Sequence, residues 1–201
     1  SRQGSRPQSR RSRVIPARPT RLGVIASPAL NRDNTVMSRP LIDFASAAAV
    51  ARWSAIDDAV MGGVSRSQLQ HDPAGHAVFS GIVSLEHNGG FASVRSPMLD
   101  SNAPGTHLCR LEVYGDGKRY KLNLRTDNSF DGVNYQAVFE APAHLWTQLS
   151  LPLTDFQPSY RGRRVPGAPP FDPARLQQVG LMIADRQAGP FALAIRSIGF
   201  E

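Results

Sequence analysis

WSAIDDAVMGGVSRSQL (residues 53–69) and FSGIVSLEHNGGFASVRSP (residues 79–97) decide how this chain is read. Each sets a Gly-Gly pair between runs of alternating apolar and polar residues, the period of a half-buried strand. Glycine pairs supply the positive φ that a tight hairpin demands, so the pattern predicts strands joined by short turns. Polar residues crowd both pairs: Asp57, Asp58, Ser65, Glu86, Asn88 and Arg95. Turn geometry alone does not call for so many.

Outward from these segments the same period recurs. Residues 41–44, 78–85, 91–96, 108–114, 120–125, 133–139, 145–151, 179–184 and 191–195 suit short strands, bounded by turn residues such as Asn88-Gly89-Gly90, Gly115-Asp116-Gly117 and Asp131-Gly132. Ser46 and the alanine-rich run to Arg52 offer an N-cap and helix formers for about two turns. Strands this short, with so little helix between them, indicate an antiparallel sandwich or barrel. Residues 155–174 break the rhythm with Pro158, Pro166, Pro169, Pro170 and Pro173 beside Arg161, Arg163 and Arg164. Proline removes ladder donors, so a long surface loop is expected there, with its arginines as candidate partner contacts. Trp53 and Trp146 lie in apolar strand patterns and are expected in the core.

The order D-D-x-V-M-G-G-V-S (57–65), then F-x-G-x-V-S-L-E-x-N-G-G-F-A-S-V-R (79–95), resembles the signature of the complex I intermediate-associated protein family. Further matches are Leu-Pro-Leu-Thr-Asp-Phe at 151–156, Tyr160-Arg161-Gly162, Val-Gly-Leu-Met-Ile-Ala-Asp at 179–185 and Gly189-Pro190-Phe191. His87 departs from the pattern, where the family more often has Asn. The resemblance covers residues 41–201 and implies an all-β fold, a jelly-roll β-sandwich of the galactose-binding-domain-like type with one short N-terminal helix. It also implies a non-enzymatic role as an assembly chaperone or scaffold, with protein partners among the subunits of a respiratory NADH dehydrogenase. A carbohydrate or other small ligand is the alternative, because this kind of sandwich hosts many unrelated functions.

The formal charge of +7 is not spread over the chain. Residues 1–36 hold eight arginines and one acid, while residues 37–201 hold 15 basic and 15 acidic groups. The folded part therefore gives no reason to expect nucleic acid. Residues 1–36 mix Arg, Ser and Pro without apolar periodicity, so they are expected to form a disordered tail ahead of a domain at 37–201. An organellar transit peptide, a nucleic-acid arm and a natural start at Met37 all remain open for it. A bacterial cytoplasmic location is expected, or a mitochondrial one if the tail is a transit peptide. No apolar run approaches the ~18 residues of a membrane helix, so a spanning segment is not expected. Cys109 is the single cysteine, which leaves no intrachain disulfide and no cysteine zinc site. Its apolar surroundings predict a buried small hydrophobe.

Catalytic patterns fail on spacing. The five histidines are scattered, with no H-E-x-x-H, and no metal is expected. Gly63-Val64-Ser65-Arg66-Ser67 resembles a nucleophile elbow but lacks the final glycine and the following helix. Both Gly-Gly pairs lead into strands, not into helix N-termini that could cradle phosphate, so no cofactor is expected. What remains is a polar cluster of Asp57, Asp58, Ser65, Glu86, Asn88, Arg95, Arg125 and Asp127 at one end of the sandwich, joined by Arg161, Arg163 and Arg164 on the loop. Such carboxylates, amides and guanidiniums can bind sugar hydroxyls or a partner's backbone, or else pair with one another.

Overall fold

Cys109, Leu111 and Val113 are fully buried while Arg110, Glu112 and Tyr114 beside them are not, and in the next strand the apolar Tyr120, Leu122 and Leu124 are again fully buried at every second position. Alternation of this kind puts one face of each strand in the core and the other outside. The computed structural model of the chain describes residues 40–129 and 131–201. The expected tail at 1–36 lies outside the described residues.

In chain order the strands are β1 (Ile42–Asp43), β2 (Ser54–Ala55), β3 (Arg66–Asp72), β4 (His76–Val83), β5 (Ala92–Arg95), β6 (Leu108–Tyr114), β7 (Arg119–Arg125), β8 (Asn134–Glu140), β9 (Trp146–Pro152), β10 (Gln157–Tyr160), β11 (Arg163–Arg164), β12 (Gln178–Ile183) and β13 (Gly189–Phe200). They form two antiparallel sheets. One has the order β3-β4-β13-β6-β9 with β1 also on β13, and the other runs β11-β10-β8-β7-β12-β5-β2. Their inner faces share one core, in which Phe79 and Phe191 of the first sheet meet Tyr120 of the second at ring distances of 6.3 and 6.4 Å. The buried Tyr120 hydroxyl donates to Asp116 at 2.9 Å, so its polar end is satisfied. Cys109 is buried among these residues as expected, and burial pushes its thiol far up.

β13 is the spine of the first sheet, pairing with β4 along its first half and with β6 along its second. The register shifts between Ile195 and Ser197, a bulge across which Arg196 and Ser197 both stay out of the core and Ile198 returns to it.

Several sequence expectations change. Residues 46–52 make only a single 3-10 turn at Ala47–Ala49, with no side-chain cap from Ser46. A seven-residue helix has too few bonds to offset its nucleation cost, and the chain instead turns to pack Trp53 against Phe44 at 5.6 Å. The glycine pairs are not hairpin turns. Gly62-Gly63 lies between β2 and β3, and Gly89-Gly90 between β4 and β5, so each crosses from one sheet to the other. Residues 155–174 are not wholly loop either, because β10 and β11 form an edge hairpin through Arg161 and Gly162, both at positive φ. Pro158 is tolerated there because its carbonyl faces β11, accepting from Val165 N. Its missing N–H falls on that same outer side, away from β8.

The two faces of the second sheet predict different responses to truncation. Leu122→Ala, at a fully buried site, should cost about 2–5 kcal/mol. Val138→Ala, on the outer face of the neighbouring strand, should stay within about 0.5 kcal/mol. Urea denaturation of both variants checks the assignment of faces.

Candidate functional site

Asp57 and Asp58 stand at the entry of a 3-10 turn, Asp58–Met61, and their carboxylates diverge. Asp58 has no exposed surface. Its oxygens accept from Ser65 N (2.9 Å), Ser65 Oγ (2.5 Å), Gly90 N (2.8 Å) and Phe91 N (3.4 Å). Asp57 accepts from Ser67 N (2.8 Å), Ser67 Oγ (2.6 Å) and Ser93 N (3.0 Å). Ser65 Oγ in turn accepts from Ser84 N at 2.9 Å. The two acids thus tie the first glycine loop, the start of β3, the second glycine loop and β5 together.

This clasp explains the glycines. Gly62 and Gly90 adopt φ of 90° and 140°, which favour glycine. Gly63 and Gly89 do not need positive φ. They leave room instead, since a Cβ on either would overlap the Asp58 carboxylate. The left-handed positions of the second loop are His87 (φ 52°) and Asn88 (φ 61°), with Gly90. Burial opposes ionisation of Asp58, but the Ser65 hydroxyl and the backbone donors of Gly90, Ser65 and Phe91 outweigh it and hold the carboxyl below its usual range.

The remaining sequence candidates separate. Glu86 and Asn88 are exposed on the short 3-10 turn Glu86–Asn88. Arg95, Arg125 and Asp127 gather at the outer face of the second sheet. Arg125 is buried, donating from Nη1 to Asn134 (3.0 Å) and from Nη2 to Asp127 (3.1 Å) and to the Ser129 carbonyl. Burial and the neighbouring Arg125 guanidinium hold Arg95 below the ordinary arginine range. The Ser129 hydroxyl, aided by its backbone N–H and by Arg125, outweighs burial and holds Asp127 low. Arg161 is bound to Asp131 and lies 5.3 Å from the Tyr160 ring. Arg164 donates to Gln157 at 2.8 Å, and Arg163 is exposed. The expected single cluster is therefore an internal clasp, an outer-face arginine group and a hairpin edge. Among the described residues no His, Cys, Asp and Glu side chains group as metal ligands.

Other residues escaped sequence reading. Ser67 and Ser93 complete the clasp, and the alternation in Val64-Ser65-Arg66-Ser67, which puts both serines on one face, was the available signal. Trp146 is not a core residue. Register pairs it with Tyr114 on the outer face of the first sheet, where its ring lies 5.7 Å from Tyr114 and 5.4 Å from His76. The Arg196 guanidinium sits 3.9 Å from the Trp146 ring centre while donating to Glu112 at 2.6 Å. Alternation from Leu193 and Ile195 puts Arg196 on that outer face, but its seat over Trp146 depends on cross-strand neighbours that the local pattern does not show.

Comparison with known proteins adds three findings. The family described as Complex I intermediate-associated protein 30 matches residues 42–195. Among curated relatives, a Drosophila melanogaster protein named "Complex I intermediate-associated protein 30, mitochondrial" is 25% identical, the match covering 80% of this chain and 62% of that one. An uncharacterized Schizosaccharomyces pombe protein is 28% identical over 73% of this chain and 76% of its own length. Among solved structures, the family 11 carbohydrate-binding module of the Clostridium thermocellum cellulase Lic26A-Cel5E superposes with a TM-score of 0.59 at 15% identity, covering 81% of this chain and 93% of the module. That likeness is one of fold, and it gives the jelly-roll sandwich of galactose-binding-like type.

Asp58→Asn should lose about 3 kcal/mol at neutral pH, since an amide faces at least one buried donor with another donor. The folded chain keeps Asp58 ionised at a pH where the unfolded chain already takes up its proton. Its contribution is therefore complete above the ordinary carboxyl pKa and is lost as pH falls through the depressed folded value. The wild type should lose stability below about pH 4, and Asp58→Asn should lose less over that interval. Denaturation curves from pH 7 downward decide this. Gly63→Ala should also destabilise more than Gly62→Ala, whose Cβ meets only open space and the strain of positive φ.

Proposed function

Because this chain belongs to the Complex I intermediate-associated protein 30 family, we propose that it is a non-enzymatic interaction domain that assists assembly of a respiratory NADH dehydrogenase. It holds an intermediate through protein–protein contacts, as a chaperone or scaffold. The observation that carries this reading is the fate of the acids in the family motif. Asp57 and Asp58 spend their oxygens on Ser65, Ser67, Gly90 and Ser93, which leaves no general acid or base beside the serines. A motif that builds a rigid scaffold suits a protein whose work is done by its surfaces. The chain's match spans 62% of the fly relative's length, so that protein's whole activity is not carried over with the family. Among the described residues no helix is long and apolar enough to cross a membrane. The proposed location is the bacterial cytoplasm, or the mitochondrion if residues 1–36 act as a transit peptide.

A second reading, a carbohydrate module, is favoured by Trp146 and Tyr114. Rings on an outer sheet face give a sugar something to stack on, and the superposed module carries that description. A glycan array probed with the wild type and with Trp146→Ala separates the two readings, because signal lost in the variant supports the second alone.

Affinity capture with the tagged full chain in its native cells should recover NADH dehydrogenase subunits, and deleting its gene should leave partly built complexes on native gels. Normal assembly in the deletion strain together with capture free of those subunits would overturn the assembly reading.

A further inference from the structure

Asn88 is the only asparagine in the chain that a glycine follows, and it is exposed in the second glycine loop. The fold favours both residues. Position 88 holds a φ of 61°, a left-handed conformation that asparagine tolerates better than most side chains. Position 89 has no room for a side chain, because a Cβ there would lie 2.6 Å from Asp58 Oδ2 and 2.8 Å from the Ser84 carbonyl oxygen. The loop therefore carries the dipeptide in which an asparagine amide is most open to its neighbour's backbone nitrogen, since glycine gives that nitrogen no steric shield and little conformational restraint.

The closed loop opposes that attack. Gly89 N–H donates to the Glu86 carbonyl at 2.8 Å, so the nitrogen is already engaged. To attack, it has to lose its proton, and the ionised Asp58 carboxylate against Gly89 raises the cost of an amide anion there. Ser65 Oγ (2.5 Å) and Gly90 N (2.8 Å) donate to Asp58 Oδ2 and hold it in that place. Reaction then requires a local opening of the loop, and the clasp sets how often that occurs.

We propose that Asn88 is a deamidation site gated by the Asp58 clasp. In the open loop hydroxide takes the Gly89 N–H proton and the nitrogen attacks Asn88 Cγ. A C–N bond forms, the Cγ–Nδ2 bond breaks, and Nδ2 leaves as ammonia with a proton from water, which regenerates the hydroxide. Water then opens one C–N bond of the cyclic imide to give aspartate or isoaspartate. The net change is amide nitrogen for oxygen, with one new negative charge and nothing oxidised or reduced. Isoaspartate runs the backbone through its own side-chain carbonyl and so lengthens the chain by one atom ahead of Gly89. Gly90 N–H then loses its register on Asp58, and a second carboxylate stands in the same loop. The clasp does not re-form as before, so the change is one-way. This inference does not depend on what the domain binds.

The test holds the full chain in mildly alkaline buffer, with and without denaturing urea, and follows tryptic peptide 67–95 by mass and by chromatography that separates isoaspartate from aspartate. Asn88 should convert at least about tenfold faster in denaturing urea than in the folded wild type. Asp58→Asn and Ser65→Ala, confirmed folded by melting, should each convert several-fold faster than wild type, while Asn102 changes by less than about twofold. Wild type aged until Asn88 is modified should unfold at lower urea than fresh Asn88→Asp, which carries the charge without the added backbone atom. If a variant is unfolded, the wild type is followed in urea below its unfolding transition instead. A rate that rises there supports opening of the clasp, and one that rises only with global unfolding overturns it. Equal rates in folded and denatured wild type, folded variants no faster than wild type, or an aged chain as stable as Asn88→Asp would each overturn the proposal.

Discussion

The Asp58 carboxylate is fully buried and gathers donors from two loops, the second reaching it from Gly90, 32 residues along the chain. An ionised group in that position is tolerable only if its hydrogen bonds replace water completely. That condition fixes its neighbours. Ser65 has to supply both a backbone and a side-chain donor, and Gly63 and Gly89 have to lack side chains to let the carboxylate in. Gly90 has to hold a φ of 140° so that its N–H points at the acid. Asp57 repeats the device one residue earlier, toward Ser67 and Ser93. These bonds cross from one sheet's strands to the other's and so close one end of the sandwich, which apolar packing alone, being non-directional, would leave without a set register.

Much of this was legible in the sequence. The strand patterns at 108–114 and 120–125 correspond to β6 and β7 nearly residue for residue, because period-two burial is a local signal. The crossovers were not legible. A Gly-Gly pair reads as a hairpin when only local φ preference is considered, and nothing local tells that β4 and β5 belong to different sheets. The β10–β11 hairpin was hidden by its prolines, which count against a strand until the neighbours of each ladder position are known. Trp146 was misplaced for a related reason: its apolar character said core, while its register opposite Tyr114 put it outside.

The candidate site was legible as a list of residues and not as an arrangement. Asp57, Asp58 and Ser65 stood out because they are polar in an apolar rhythm, and that is equally the mark of a ligand site and of an internal clasp. Distance and burial separate the two. Asn134, by contrast, looks like an ordinary strand polar residue, and its place beside Arg125 follows from cross-strand pairing.

It follows that resemblance to the family motif reports mainly on the clasp. Residues 57–65 and 84–93 are held by bonds among themselves, so a chain that keeps them keeps this end of the sandwich and the angle at which its two sheets meet the loops. The clasp also orients side chains that are not part of it. Arg95 lies two residues beyond Ser93, whose N–H is fixed by Asp57. Alternation then sends Ser93 and Arg95 to the same outer face while Ala92 and Val94 enter the core. The rigid acid that anchors the fold thereby sets the position of a side chain on the outer face of the second sheet, and this is the physical link between the motif and that face.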